Sequence, residues 1–201
     1  MLEQLRDLGM EKTLFQVRFL ESDEGKKPMP RPDGDDRVEF MTSPNPGEPL
    51  KPLARIASGG ELSRFMLALK TLEAEGNKVP CMVFDEIDTG ISGTVAQAVS
   101  EKMIAISRSC QVICVTHLPQ IAAAADHHFL VKKDTVEGRT VTSLKELDRY
   151  GRIQELGRMI SGAEGSSREA VKYADAMLEA SDRIKKCPLK EGLPFGSSCI
   201  Q

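Results

Sequence analysis

The fold is decided by residues 79–120, which read VPCMVFDEIDTGISGTVAQAVSEKMIAISRSCQVICVTHLPQ. Two short apolar runs, at 79–84 and 111–115, end in polar residues and enclose a stretch with helical periodicity at 94–106. Two strands that are joined through a helix within one sheet run parallel. We therefore predict an α/β fold whose parallel sheet core is flanked by helices and closed by antiparallel edge strands.

Further elements are predicted on both sides of this core from hydrophobic spacing and from proline and glycine positions. They are a helix end at 1–9 with Gly9 as its C-cap, a hairpin of strands at 14–19 and 38–41, a helix at 61–72, an antiparallel strand pair at 129–132 and 141–147, and helices at 152–160 and 168–180. The stretches at 25–36 and 43–52 are predicted to be irregular loops because they are rich in proline and glycine.

The composition is typical of a soluble globular protein. Of the 201 residues, 40% are hydrophobic and 28% are charged, and the formal net charge is −3. A surface of this charge has no general affinity for nucleic acid, so any contact with DNA must be local or supplied elsewhere. Five cysteines without metal-binding spacing, and no apolar run long enough to cross a membrane, make a reducing cytoplasm the expected compartment.

Ser58, Gly59, Gly60 and Glu61 open the predicted helix at 61–72. A serine followed three residues later by glutamate is a capping box, in which side chains bond the free amides of a helix N-terminus. Two glycines there would also let a phosphate approach the same amides, where the helix end carries about half a positive charge. Local sequence leaves both interpretations open, and the capping box is the commoner one.

Asp85 and Glu86 follow the first strand, at the edge where parallel α/β sheets bind ligands. Adjacent carboxylates can divide the chemistry there. Asp85 would hold Mg²⁺, usually through water, and Glu86 would accept a proton from water that attacks a γ-phosphate. The alternative is that both carboxylates are solvated where a strand meets a loop, and local sequence does not decide between the two.

His117 ends the second strand and is expected beside Asp85 at the same sheet edge. An imidazole there could hydrogen-bond the γ-phosphate or the attacking water. A lone histidine at a strand end is more often structural or on the surface, and that interpretation is the one we give to His127 and His128.

The order of these segments is more specific than any one of them. IASGGELSR, DEIDTGISG and THLPQIAAAAD resemble, in this order, the signature motif, the Walker B motif with the D-loop, and the switch histidine of ABC-type ATPases. Within that superfamily, PLARIASGGELSRFMLALK, QVICVTHLPQIAAAADHHFLVKK and RIQELGRMISG resemble the RecN family of DNA repair proteins. The resemblance extends over about residues 5–180.

The resemblance implies the C-terminal lobe of an ABC- or SMC-type ATPase head that uses ATP and Mg²⁺. In such a head Asp85 would bind the metal, Glu86 would be the general base, and His117 would contact the γ-phosphate. The signature residues, which would meet ATP held by a second head, are Ser58, Gly59, Gly60 and Glu61. The D-loop residues, expected across the interface between heads, are Asp88, Gly90, Ile91 and Ser92.

No G-x-x-x-x-G-K-[ST] sequence occurs in the chain, so the phosphate-binding P-loop would have to come from elsewhere. The resemblance implies that an N-terminal lobe supplies it and that a coiled-coil arm links the lobes. Residues 1–9 would then end the arm, 10–185 would form the lobe, and 186–201 would be a tail that is frayed unless it docks. The implied partners are that N-terminal lobe, a second head in a homodimer, and DNA bound through the full-length protein in the bacterial cytoplasm, at the nucleoid and away from membranes.

Two alternatives remain open at this stage. One is a DNA- or protein-binding module that hydrolyses nothing, with which the missing P-loop and the low net charge are compatible. The other is a fragment of a different SMC-like or Rad50-like head, which sequence outside this chain would decide. If the chain is half of a head, we also expect apolar surface to be exposed where the other lobe belongs.

Overall fold

The computed structural model of the chain describes residues 1–20, 34, 36–45, 47–55, 58–72, 79–136, 138–162 and 167–186. The predicted loop at 25–36, apart from residues 34 and 36, lies outside the described residues. The same is true of the tail from residue 187 onward and of residue 46 in the proline-rich connector.

The predicted helices and strands are present, with bounds that differ by a few residues. In chain order they are α1 (Leu2–Asp7), β1 (Leu14–Leu20), β2 (Arg37–Ser43), β3 (Lys51–Pro52), a 3-10 helix (Leu53–Arg55), α2 (Gly59–Leu72), β4 (Cys81–Phe84), α3 (Gly93–Ser107), β5 (Gln111–Cys114), α4 (Pro119–Ala124), β6 (His128–Val136), β7 (Arg139–Leu147), α5 (Arg149–Ser161) and α6 (Arg168–Lys186). The α/β fold class is thereby confirmed.

Helix α6 continues past its predicted end at residue 180. Its last turns are anchored because Lys185 Nζ donates to the backbone oxygen of Ala125 (3.0 Å) and to Asp126 Oδ1 (2.7 Å), just beyond α4. Helix α4 itself is not predicted from the sequence, although Pro119 before an alanine-rich run is a helix-start signal.

Strands β4 and β5 pair in parallel, with Cys81 opposite Gln111 and Phe84 opposite Cys114, and α3 connects them. One face of the pair packs inward, where Met82 and Phe84 join the main core. The other face is open, because Val83, Ile113 and Val115 are 67%, 46% and 60% exposed. These exposures agree with the expectation that half of a head leaves apolar surface uncovered.

Two clusters of buried side chains organise the fold. The larger one joins α1, α2, α3 and the parallel pair, and its fully buried members are Leu5, Leu8, Phe65, Leu67, Ala68, Ile87 and Val99. The smaller one joins α4, α5 and α6 around Leu156, Ala174 and Leu178. Strands β1, β2 and β3 form an antiparallel sheet, and β6 pairs with β7 in a separate antiparallel hairpin. Among the described residues, the helices are too short or too polar to cross a membrane.

Candidate active site

The loops that follow β4 and β5 leave the same edge of the parallel pair. The backbone amide of Val115 donates to the oxygen of Phe84 (3.0 Å). The strand pairing therefore continues up to the residues directly before Asp85 and Thr116. The predicted metal-binding and base carboxylates and the predicted switch histidine are therefore carried by neighbouring loops, as parallel topology requires.

Asp88 bonds the two loops together. Its Oδ2 accepts hydrogen bonds from Thr116 Oγ1 (2.6 Å) and from the backbone amide of His117 (2.7 Å), and it lies 2.9 Å from His117 Nδ1. The residue is 3% exposed. A carboxylate at such a depth is stable only when it is paired or hydrogen-bonded, and these contacts provide that. The resemblance implies a place for Asp88 at an interface between heads, and within this chain its side chain contacts the loop of His117.

The N-terminus of α2 is capped by Ser58. The Glu61 amide donates to Ser58 Oγ (3.4 Å), and the Leu62 amide donates to the Ser58 backbone oxygen (3.1 Å). This is the serine half of the predicted capping box. Ser58, which the resemblance implies as a contact for ATP, therefore also stabilises the N-terminus of α2 in this chain.

Helix α2 also holds the loop after β4. Ser63 Oγ donates to the backbone oxygen of Asp85 (3.0 Å), and Arg64 Nη1 donates to the oxygens of Ile87 (3.2 Å) and Thr89 (2.9 Å). Burial lowers the pKa of the Arg64 guanidinium, although the charge of Glu61 partly opposes this. These two residues were missed from the sequence, because local spacing does not show that the serine and arginine after Gly-Gly-Glu face the loop.

The two glycines of the signature segment lie against Glu86. A Cβ atom placed on Gly59 would be 2.6 Å from Glu86 Oε2, and one on Gly60 would be 2.9 Å from the Glu86 backbone oxygen. A larger residue at position 60 would meet the loop backbone, so glycine is needed there for close approach, whereas a side chain at position 59 would meet only the end of the flexible Glu86 side chain. The N-terminus of α2 and the predicted general base are thus direct neighbours in one chain.

Glu86 has a backbone φ of 56°, in the left-handed region that residues other than glycine seldom adopt. The cost is about 1 to 2 kcal/mol, and such conformations cluster at functional sites. The conformation is held by the Glu86 amide donating to Asp85 Oδ1 (3.0 Å) and the Thr89 amide donating to the Glu86 oxygen (3.0 Å). The loop is therefore a tight, braced turn, and both Asp85 and Glu86 are exposed on it.

Asp85 fits a magnesium ion that is shared with a nucleotide. Its side chain is exposed, and its second oxygen has no hydrogen bond or ion pair with the described residues. No group of three or more candidate metal ligands exists among the residues that the structure describes. Mg²⁺ is usually held by one or two carboxylates together with phosphate and water oxygens, so one aspartate at this edge is a fitting donor set.

The predicted D-loop continues from Asp88 into α3. Ile91 packs against the main core, its amide donates to the oxygen of Asp88 (3.4 Å), and Ser92 occupies the N-cap position of α3. Gly90 has φ of 74° with open space around it, so glycine is required there by the backbone alone. The segment passes directly from the braced turn to a long helix.

The other two histidines belong to the β6–β7 hairpin region. His127 Nδ1 lies 2.7 Å from Glu146 Oε1 at the surface. His128 is half-buried, and burial, followed by the charge of Arg152, lowers the pKa of its imidazole. Surface and structural roles for them agree with this placement.

Comparison with known proteins relates the chain to DNA repair proteins. No model of a known protein family matches it. It is 50% identical over 183 residues to the DNA repair protein RecN of Halalkalibacterium halodurans, covering 91% of this chain and 32% of that protein. It is 43% identical over 192 residues to the RecN of Bacillus subtilis, covering 90% and 33%. The chain thus spans about a third of the length of these curated relatives.

Among solved structures, the Smc head domain with a coiled coil and joint from Pyrococcus yayanosii matches with a TM-score of 0.50 at 20% identity. The match covers 87% of this chain and 28% of that one. At this identity the likeness shows the fold alone, which is that of an SMC-type head. The chain is also 41–50% identical to RecN sequences from several bacteria, of which it spans about a third of the length. It belongs to the RecN family.

Proposed function

We propose that the chain is the C-terminal lobe of an ABC-type ATPase head that acts in DNA double-strand break repair and recombination. Residues 10–185 form the lobe and 1–9 the end of a coiled-coil arm. The relatives are named DNA repair proteins, and the fold is that of an SMC-type head. The observation that carries the proposal is that Asp88 bonds the loop of Asp85 and Glu86 to the loop of His117 at one edge of a parallel sheet.

Each residue at this edge has one task in the proposed reaction. Asp85 would hold a magnesium ion, usually through water, and the ion would supply positive charge where the phosphates of the nucleotide lie. Glu86 accepts a proton from the attacking water, a step worth about 10²- to 10⁴-fold in rate. His117 contacts the γ-phosphate from its exposed ring, and when the ring is protonated its Nε2–H donates a hydrogen bond that stabilises negative charge as the bond between the γ- and β-phosphates breaks.

The second half of the proposal concerns the partner head. The signature residues Ser58, Gly59, Gly60 and Glu61 start a 14-residue helix whose N-terminal amides would meet ATP bound by the other head. The D-loop residues Asp88, Gly90, Ile91 and Ser92 connect the braced turn to α3, so they would transmit the state of one site to the other. ATP then joins two heads of a homodimer and hydrolysis releases them, which gates contact with DNA in the bacterial cytoplasm.

The open face of the parallel pair supports the missing-lobe part of the proposal. Parallel sheets are almost always covered on both faces, yet Val83, Ile113 and Val115 are exposed here. We assign this face to the N-terminal lobe that carries the P-loop.

The test is ATP turnover by the full 201-residue chain, alone and mixed with a P-loop lobe from a RecN relative. We expect turnover only in the mixture and a loss of about 10²- to 10⁴-fold with Glu86→Gln, because the substituted amide cannot accept the proton. Glu101→Gln is the matched control, since that glutamate is exposed on α3 and accepts a hydrogen bond from Gln97. It should leave turnover unchanged.

Absence of turnover in a mixture that is shown to assemble would contradict the proposal. It would favour the alternative in which the lobe docks on a partner or on DNA and hydrolyses nothing. Equal losses for Glu86→Gln and Glu101→Gln would also contradict the assignment of the general base.

A further inference from the structure

The side chains of Asp88 and His117 lie close enough for the carboxylate to orient the imidazole. The carboxylate is 4% exposed at its side chain and lies 2.9 Å from Nδ1, whereas the histidine side chain is 71% exposed. Nδ1 therefore lies against a buried carboxylate, whereas most of the ring is exposed.

This contact determines which ring nitrogen is available. An ionised carboxylate accepts hydrogen bonds and donates none, so the proton of a neutral His117 ring belongs on Nδ1. Nε2 is then left for a ligand: in the neutral ring it accepts a hydrogen bond, for example from the attacking water, and it donates to a phosphate oxygen only when the ring is protonated. A histidine without such a partner would divide its population between two tautomers and several ring orientations.

The same carboxylate oxygen also sets the backbone on which the ring stands. It accepts from the His117 amide (2.7 Å) and from Thr116 Oγ1 (2.6 Å), and Thr116 Oγ1 accepts in turn from the Leu118 amide (3.0 Å). Asp88 Oδ2 thus contacts both the ring and the backbone amide of His117.

Asp88 is itself placed by the turn that carries the predicted base. It lies two residues after Glu86, in the segment where Arg64 holds the oxygens of Ile87 and Thr89. A displacement of this turn would therefore move the Glu86 carboxylate and the His117 ring together. No such link follows from a role at the interface between heads.

We propose that Asp88 is a positioning residue that acts through His117, by fixing the Nδ1–H tautomer and the direction of Nε2 relative to Glu86. The proposal rests on the proposed function of this edge in ATP hydrolysis. It assigns to Asp88 a task within its own chain.

The first experiment is a double-mutant cycle on turnover in the mixture of this chain with a P-loop lobe. Asp88→Asn keeps the shape and the oxygen acceptor but can present an amide N–H to Nδ1, so we expect kcat to fall about 10- to 100-fold. KM should change less than about threefold, since the ligand contacts themselves are kept. In a His117→Ala background, Asp88→Asn should have less than about a twofold further effect, because the residue through which it acts is gone.

The second experiment needs no activity. Nitrogen-15 NMR of the imidazole rings of this chain at about pH 8, where histidines are ordinarily neutral, reports the tautomer of each ring. His117, identified by its loss in His117→Ala, should carry its proton on Nδ1 in the wild-type chain and should move toward the Nε2–H tautomer with Asp88→Asn. Glu146→Gln is the matched control, because it alters the surface pair of His127 and should change neither His117 nor turnover.

The outcomes separate the two proposals. Multiplicative losses in the cycle, or a His117 tautomer that ignores Asp88→Asn, would overturn the positioning role and leave a structural one. Circular dichroism and Asp88→Glu, which retains the charge, guard against a folding defect: restored turnover with Asp88→Glu supports the role. If every mixture is inactive, the proposed function fails, and the positioning role of Asp88 in catalysis fails with it. An Nδ1–H signal from His117 in that case would show that Asp88 still sets the tautomer of the ring although the chain does not act in ATP hydrolysis.

Discussion

At the scale of single residues, the site depends on polar groups that bond across the sheet edge. Arg64 is the clearest example outside the predicted motifs. Its guanidinium is buried, and one nitrogen spans the backbone oxygens of Ile87 and Thr89. Neither oxygen has an equivalent donor in a strand or helix, so the arginine replaces secondary structure in holding the turn.

Replacing Arg64 with lysine should destabilise the chain. A lysine carries a compact ammonium on a flexible stem and does not reproduce the rigid guanidinium, so at least one carbonyl oxygen loses its donor. We expect a loss of about 1 to 3 kcal/mol in the free energy of unfolding, measured by chemical denaturation. The control is Arg183→Lys, whose exposed contact with Glu179 should be worth less than about 0.5 kcal/mol. Equal stability of the two variants would contradict the bracing role.

At the scale of elements, α1 is fastened to α3 by a buried lysine. Lys102 Nζ donates to Gln4 Oε1 (2.6 Å) and to Asp7 Oδ2 (2.9 Å), and Lys102 is 5% exposed. Helix α3 begins directly after the predicted D-loop. The helix that we assign to the end of the arm is therefore attached, through one element, to the segment that we assign to communication between heads.

Lys102→Met should weaken this attachment. The methionine fills a similar volume but leaves the buried Gln4 oxygen without a donor, which costs about 1 to 3 kcal/mol in the free energy of unfolding. Urea denaturation followed by circular dichroism measures the loss. Lys172→Met, on the exposed side of α6, serves as the control and should change stability by less than about 0.5 kcal/mol. A Lys102→Met chain as stable as the control would show that α1 is held by its leucines alone.

At the scale of the whole molecule, the chain exposes the kind of surface that normally lies inside a sheet. Val83, Ile113 and Val115 line the open face of the parallel pair, opposite the side that packs on α2 and α3. An uncovered apolar face of this type favours association. The fold therefore has its chemistry at one sheet edge and its unsatisfied apolar surface on the adjacent face.

We expect the isolated chain to associate with itself in a concentration-dependent manner, and Val83→Lys to suppress this by placing a charge on the open face. Sedimentation velocity over a range of concentrations measures the association. The same substitution should weaken docking of a P-loop lobe, because both use one face. Tyr150→Lys, at an exposed aromatic residue on α5, is the control and should alter neither property. A wild-type monomer at all concentrations would contradict the expectation.

Much of the fold follows from local pattern. Apolar runs that end in Asp85 and Thr116, with a helical stretch between them, were enough to predict a parallel pair, and the register of Phe84 opposite Cys114 confirms it. Gly9, placed as a C-cap from the leucine stripe before it, adopts a φ of 73°. The extent of burial could not be derived in this way, because Val83 looks like a core residue in sequence and becomes exposed only through what the rest of the chain leaves uncovered.

The sequence alone thus determined most element types, the sheet edge and the residues Asp85, Glu86 and His117 as candidates, whereas β3 and α4 were not predicted. Only the tertiary structure decided that Asp88 bonds His117 and that Arg64 holds the turn of Glu86. These contacts join residues 23 to 29 positions apart. Their physical reason is strand register: hydrogen bonds reach about 3 Å, so a shift of β5 by one residue would carry His117 away from Asp88.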